Sequence, residues 1–138
     1  MRGIGFSPVW FDSMGAKSSC TLVWTREVRV LIDPGAAIMQ PSFPADPVRK
    51  LFWLARAKLA IRRAAGRADV VVISHYHYDH FTDFSRRIYE GKLLLAKNPN
   101  EFINESQRGR AESFFSTYGR KLGGVDLERL PPDEDRDY

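Results

Sequence analysis

The sequence predicts an α/β layered fold: one sheet with its helices over a single face. Three observations carry this. Val70-Val71-Val72-Ile73 is a run of four β-branched residues without polar alternation, the pattern of a strand buried on both sides. A helical pattern from Asp46 to Gly66 precedes it, and two short strands precede that helix. The chain supplies two substantial helices, enough to cover one face of a sheet, so the other face needs a partner.

The elements follow in order. Phe6 to Phe11 is a short apolar stretch holding Pro8, which suits an edge strand better than a central one. Asp12-Ser13-Met14-Gly15 is a turn. Cys20 to Thr25 and Val28 to Ile32 read as a hairpin around Arg26-Glu27, and the second strand stops at Asp33-Pro34-Gly35. Residues 36–45 form a loop with Pro41 and Pro44. Asp46 is placed to cap a helix with Pro47 at its first position, and Gly66 is placed to end it. Val48, Leu51, Phe52, Leu54, Ala55 and Leu59 are expected to form its apolar face. Phe81 to Glu90 is expected as a short helix, Leu93-Leu94-Leu95 as a second buried strand, and Asn104 to about Leu122 as the last helix. Leu127 to Tyr138, with Pro131-Pro132 and a charge run, reads as a disordered or weakly docked tail.

A length of 138 residues suits one domain. The net charge of +4 is unevenly spread. Residues 126–138 hold six acids and two bases, so residues 1–125 carry +8. A basic body attracts phosphates or nucleic acid, or is simply a solvated arginine-rich surface. With one cysteine, Cys20, no intrachain disulfide can form, and its apolar setting marks a buried thiol. The N-terminus has no signal-peptide apolar region, and no stretch approaches the ~20 apolar residues of a membrane span. The expectation is a soluble cytoplasmic protein with no membrane partner.

The chemistry concentrates in one place. All three histidines lie within His75-Tyr76-His77-Tyr78-Asp79-His80. In chains of this composition that spacing arises by chance on the order of once in ten thousand, so a polar surface loop does not explain it. Side chains two apart on an extended segment point the same way, so His75 and His77 can reach one ion together. Asp79 and His80 can face a second ion once the chain turns. Imidazole nitrogens with a carboxylate suit zinc, and also iron or manganese. The loop also leaves the carboxyl end of a buried strand, where open α/β sheets place their sites. Tyr76 and Tyr78 point away from the histidines and brace the loop.

These six residues resemble the His-x-His-x-Asp-His signature of the metallo-β-lactamase superfamily. Leu31-Ile32-Asp33-Pro34-Gly35 is similar to the strand-end Asp that precedes the signature there. The Asp12-Ser13-Met14-Gly15 turn, the Ile73 to His80 run and Asn104-Glu105-Ser106-Gln107-Arg108 resemble an uncharacterised, mainly archaeal branch of hydrolases with this fold. The resemblance covers residues 5–125. It implies half of a four-layer αββα sandwich, a mixed sheet with helices on one face. It implies a dinuclear zinc hydrolase, with His75 and His77 on one ion and Asp79 and His80 on the other. Asp79 would also orient the attacking water, and Asp33 would hold the histidine loop by hydrogen bonds. A simple turn residue is the competing reading of Asp33.

The superfamily takes a further His, a bridging Asp and a last His from its second half, and this chain has no further histidine. Residues 1–125 are therefore expected to be an N-terminal half, incomplete alone, with 126–138 a chain end. The preferred expectation is a truncated or frame-shifted reading of a longer protein; a second-half chain and self-association pooling two loops are the other ways to complete it. The competing functions are a non-catalytic metal-binding or interaction module and a component of a nucleic-acid-processing metallo-hydrolase. The substrate, a small molecule or a nucleic acid, is not legible. Gly15-Ala16-Lys17-Ser18 lacks the earlier glycine of a phosphate-binding loop and is set aside.

Overall fold

In the computed structural model, which describes residues 3–99 and 101–119, five strands form one mixed sheet. They are β1 (Gly5–Phe11), β2 (Ser19–Trp24), β3 (Arg29–Ile32), β4 (Val70–Ile73) and β5 (Leu93–Ala96), and their order across the sheet follows the chain. β1, β2 and β3 pair antiparallel, whereas β3, β4 and β5 pair parallel. Each parallel step needs a crossover, and α1 (Pro47–Ala65) lies within the first. α2 (Glu105–Tyr118) follows β5. The expected acidic tail, and the part of the last helix expected after residue 119, lie outside the described residues.

Local chemistry explains the boundaries. Pro8 is tolerated because β1 is an edge strand, and the register shifts between Pro8 and Trp10. The turn after β1 is a single 3₁₀ turn over Asp12–Met14, closed by Gly15 at φ 95°. At the hairpin, Thr25 Oγ1 accepts from the backbone nitrogens of Glu27 (3.1 Å) and Val28 (3.2 Å). Asp46 accepts from Arg49 N at 2.9 Å, with Pro47 opening α1. Asn104 caps α2 in the same way, accepting from Gln107 N at 3.0 Å.

The core lies on one face of the sheet. Cys20, Leu22, Leu31, Val71 and Ile73 point into it, joined by Ala57, Ile61 and Ala64 of α1 and Ala111 and Phe114 of α2. The α/β class and the one-sided helices are as the sequence indicated. The other face is nearly continuous apolar surface. Phe6, Val23, Val30, Val70 and Leu93 form one row of paired residues across all five strands, and Pro8, Thr21, Ile32, Val72 and Leu95 form the next. Phe6 is 70% exposed, Leu93 60% and Leu95 52%. The expectation that β4 is buried on both faces is therefore corrected: Val71 and Ile73 are buried, while Val70 and Val72 are only half-buried. β5 is likewise an edge strand rather than a fully buried one.

Two helix expectations also change. α1 forms where expected, but a different stripe meets the sheet. Lys50, Ala57, Ile61, Ala64 and Ala65 are buried. Val48, Leu51, Phe52 and Leu59 are exposed, as is Ala55, while Leu54 is half-buried. Alanines let the helix axis approach the sheet, and the bulkier stripe turns outward. Trimming Ile61 to Val should cost about 1 kcal/mol, whereas Leu51→Ala should change stability by under about 0.5 kcal/mol. Urea unfolding of the two variants checks the assignment, and a reversed order would refute it.

The second change concerns residues 81–90, which form no α-helix beyond a 3₁₀ turn at Arg86–Ile88. Side chains take up the backbone groups a helix would use. Thr82 N donates to Tyr89 Oη (3.0 Å), Tyr89 Oη donates back to Thr82 O (2.9 Å), and Phe84 N donates to Thr82 Oγ1 (3.2 Å).

Candidate metal centre

β3 and β4 run parallel and end side by side, Ile32 opposite Val72. Their carboxyl ends therefore place Asp33 next to Ser74 and the histidine loop. Asp33 has φ 50°, the left-handed region that Asp and Asn tolerate best among non-glycine residues. That bend turns the chain off the strand while Asp33 N still donates to Val72 O at 2.9 Å.

Asp33 is only 6% exposed, and its carboxylate oxygens are taken up. Oδ1 accepts from Ser74 N at 2.8 Å and Oδ2 from Ser74 Oγ at 2.7 Å. His80 Nδ1 lies 2.9 Å from the same Oδ2 and 3.0 Å from Ser19 Oγ. With Nδ1–H directed to Asp33, the lone pair of His80 Nε2 is free to ligate. Asp79 Oδ2 lies 3.6 Å from that Nε2. Two donors on one tetrahedral zinc sit about 3.4 Å apart, so this pair is close to a ligating separation.

The loop does not stay extended, contrary to the alternation expected from its spacing. It bends from His75 to His77 and turns from Tyr78 to His80, with His80 N donating to His77 O at 2.8 Å. His75 consequently lies nearest to His80, with tilted rings whose centroids are 3.7 Å apart, and its ring centroid lies 4.9 Å from that of His77. His75 lies near both His80 and His77, and Asp79 lies against His80, so the donors form a line of neighbours rather than the two separate pairs the extended reading gave. Among the described residues, no three of His, Cys, Asp and Glu converge closely enough to hold a metal ion. The donor chemistry fits zinc, with three imidazoles and a carboxylate in one loop, but the cluster is open.

Protonation follows the same geometry. Burial lowers the pKa of His75, and the neighbouring His80 and His77 lower it further, favouring the neutral, ligating form. Burial also pulls on His80, but the hydrogen bond and charge of Asp33 outweigh it and hold the imidazole above 6.5. Burial raises Asp33, but hydrogen bonds from His80 and Ser74 win and keep it below 3.8. The raised His80 contributes stability that is present below its unfolded pKa and lost as pH rises through the folded one. The lowered Asp33 contributes stability that is present above 3.8 and lost as pH falls through its folded pKa. The chelator-treated chain should therefore melt lower at pH ~8.5 than at ~6, and Asp33→Asn should flatten that fall. A melting scan showing equal pH slopes in both proteins would count against the pair.

Other residues shape the loop, and local spacing carries little sign of them. Ser19 and Ser74 bond the Asp33–His80 pair, and only Ser74, next to His75, was open to suspicion from position. Tyr76 is fully buried and donates from its hydroxyl to Lys97 O at 2.5 Å. Tyr78 is about half exposed and stacks on Phe81 at 5.3 Å. Tyr78 and Phe81 also line a pocket with Ala36, Lys58 and Asp83. Cys20 is a buried free thiol whose pKa burial pushes far up, with the charge of Asp33 adding to the shift, in keeping with a structural thiol.

Comparison with known proteins bears on the family of the chain. The family model described as the metallo-beta-lactamase superfamily matches residues 15–129. A UPF0282 protein of Methanopyrus kandleri is 42% identical over 88% of this chain and 45% of its own length. One from Korarchaeum cryptofilum is 44% identical, covering 87% of this chain and 41% of itself. One from Thermococcus gammatolerans is 40% identical, covering 90% and 50%. The chain thus spans about half the length of the curated relatives it matches. No solved structure matches it. With the family match running through the strand-end Asp33 and the whole histidine loop, the chain belongs to the metallo-β-lactamase superfamily, and its relatives are archaeal UPF0282 proteins.

Proposed function

We propose that this chain carries the ligand loop of a metal-dependent hydrolase with a dinuclear zinc centre. The clustering of His75, His77, Asp79 and His80 at the carboxyl ends of two parallel strands carries the reading. Iron or manganese would suit the same donors. Bound zinc would lower the pKa of its water to about 7 and so supply hydroxide at neutral pH. Asp79 holds its carboxylate beside His80 Nε2, where it can ligate and orient a water. Asp33 fixes the His80 tautomer, and Ser74 and Ser19 fix Asp33 and His80 in turn.

Four donors do not fill two ions, since a catalytic zinc takes three protein ligands and a water. The remaining donors come from beyond these 138 residues, through further chain, a partner chain or a second copy. The apolar rows of the open sheet face give such a unit its packing surface. In keeping with this, the 138-residue chain should take up zinc weakly and hydrolyse chromogenic esters and phosphodiesters little. Metal analysis and rate assays on the purified chain test it. Robust hydrolysis that is lost on His77→Ala would show the site complete as it stands.

The open face also favours a second reading, a non-catalytic interaction module. A stable heteromer that holds no metal would support that reading. A nucleic-acid role rests on α1, with Arg49, Arg56, Arg62 and Arg63 and no acid between Pro47 and Ala65. It requires salt-dependent RNA binding. No described helix is long and apolar enough to cross a membrane. The lone buried thiol is in keeping with a reducing cytoplasm.

A further inference from the structure

We infer that Gln107 and Arg110 of α2 are positioning residues that clamp the Tyr76 peptide and so set the placement of His75 and His77. The inference rests on the metal-ligand reading of the loop given above. β4 ends at Ile73, so the backbone at Tyr76 has left the strand ladder. Its peptide groups nevertheless need partners, because the Tyr76 ring beside them is fully buried. α2 supplies them. Tyr76 N donates to Gln107 Oε1 at 3.3 Å, and Arg110 Nη1 donates to Tyr76 O at 3.2 Å.

The spacing suits the task. Residues three apart share one face of a helix, so one turn of α2 reaches both sides of one residue. That first turn is itself fixed, because Asn104 caps it at the nitrogen of Gln107. The Arg110 guanidinium also lies 5.3 Å from the centre of the Tyr78 ring, which holds the residue after His77. Tyr76 is anchored from its far end as well. Its hydroxyl donates to Lys97 O, and its ring packs edge-on against Phe81 at 5.7 Å and Phe115 at 6.2 Å.

Tyr76 is thus held at its N–H, its carbonyl and its hydroxyl. The histidines are its immediate neighbours on either side. A peptide free to rotate would swing both imidazoles, so the clamp removes the motion that would most blur their separation. Gln107 and Arg110 act on the loop through Tyr76.

The test compares the 138-residue chain with Gln107→Ala, Arg110→Ala and the rescue variant Gln107→Glu, whose carboxylate still accepts from Tyr76 N. Gln107→Ala should raise amide exchange at Tyr76 at least about tenfold while β3 and β4 stay protected. Gln107→Glu should restore the protection. Zinc affinity should fall about tenfold or more in both alanine variants, in the range of other supporting contacts at metal sites. Unchanged exchange at Tyr76, or a uniform rise across β3 and β4, would overturn the clamp. So would local loosening with zinc affinity intact. A wild-type chain that takes up no zinc at all would instead sink the metal reading. NMR signals of the His75 and His77 rings then decide the clamp. They should shift in Gln107→Ala and return in Gln107→Glu, and signals that stay put would overturn it.

Discussion

Gly35→Ala is expected to destabilise the chain by about 3 kcal/mol, at the upper end of overpacking costs, and to displace the histidine loop. The reason is a backbone-on-backbone contact. A Cβ on Gly35 would meet the nitrogen of His80 and lie 2.5 Å from both the Asp79 carbonyl carbon and the Phe81 nitrogen. Side chains at a crowded position can rotate away, but a peptide can only move as a unit. Gly35 is also held from behind. Its carbonyl accepts from Ser18 Oγ at 2.6 Å, its own nitrogen donates to Asp33 O at 2.8 Å, and Ala37 pairs with Lys17. The loop carrying Asp79 and His80 must therefore be the part that yields. Thermal melts should show a loss of about 10 °C, on the usual scale for a domain of this size. Gly109→Ala is the control. Nothing lies within 4 Å of a Cβ there, and the position is inside α2. That substitution should raise stability by roughly 0.5–1 kcal/mol. A Gly35→Ala variant that melts like wild type would mean the approach of these two loops is looser than described.

The same contact shows which features a single sequence can reveal. Asp33-Pro34-Gly35 was legible as a strand end because its signals are local, as were the Asp46 cap with Pro47 and the Asn104 end of α2. The histidine loop was legible because composition alone singled it out. The path of the loop was not. Its turn at His77 to His80 depends on Gly35 some forty positions earlier and on α2 some thirty later, and neither leaves a mark in local spacing. The buried face of α1 was misread for a related reason. The helix carries two apolar stripes, and hydrophobicity favours the one with Val48, Leu51 and Phe52. The sheet instead takes the stripe with Ala57 and Ala64, because close approach rewards small side chains. Residues 81–90 looked helical until Thr82 and Tyr89 claimed each other's groups, a pairing seven positions apart that propensity does not register.

Asp33→Ala should be the most damaging single change at the centre, at about 3–5 kcal/mol for breaking a buried charged pair. Two separate effects combine. Removing the carboxylate strips Ser74 N of its acceptor and leaves Ser74 Oγ and His80 Nδ1 only their longer contacts, to His75 Nδ1 at 3.1 Å and Ser19 Oγ at 3.0 Å. Each abandoned buried donor costs about 1–3 kcal/mol, less where water can reach it, and Ser74 is exposed. Alanine must also adopt φ 50°, which costs roughly 1–2 kcal/mol more than it does for Asp or Asn. Asp33→Asn separates the two effects. It keeps the tolerance for that backbone and one acceptor oxygen, but loses the charge that raises the His80 pKa in the metal-free chain. Its loss should therefore be less than half that of alanine, and the pH of His80 titration should fall toward 6.5. Urea unfolding gives the first quantity and NMR titration of the imidazole the second. If Asn and Ala are equally destabilised, the charge and not the backbone dominates. If His80 titrates unchanged in Asp33→Asn, Asp33 is only a turn residue, and the tautomer of His80 is set by Ser19 instead.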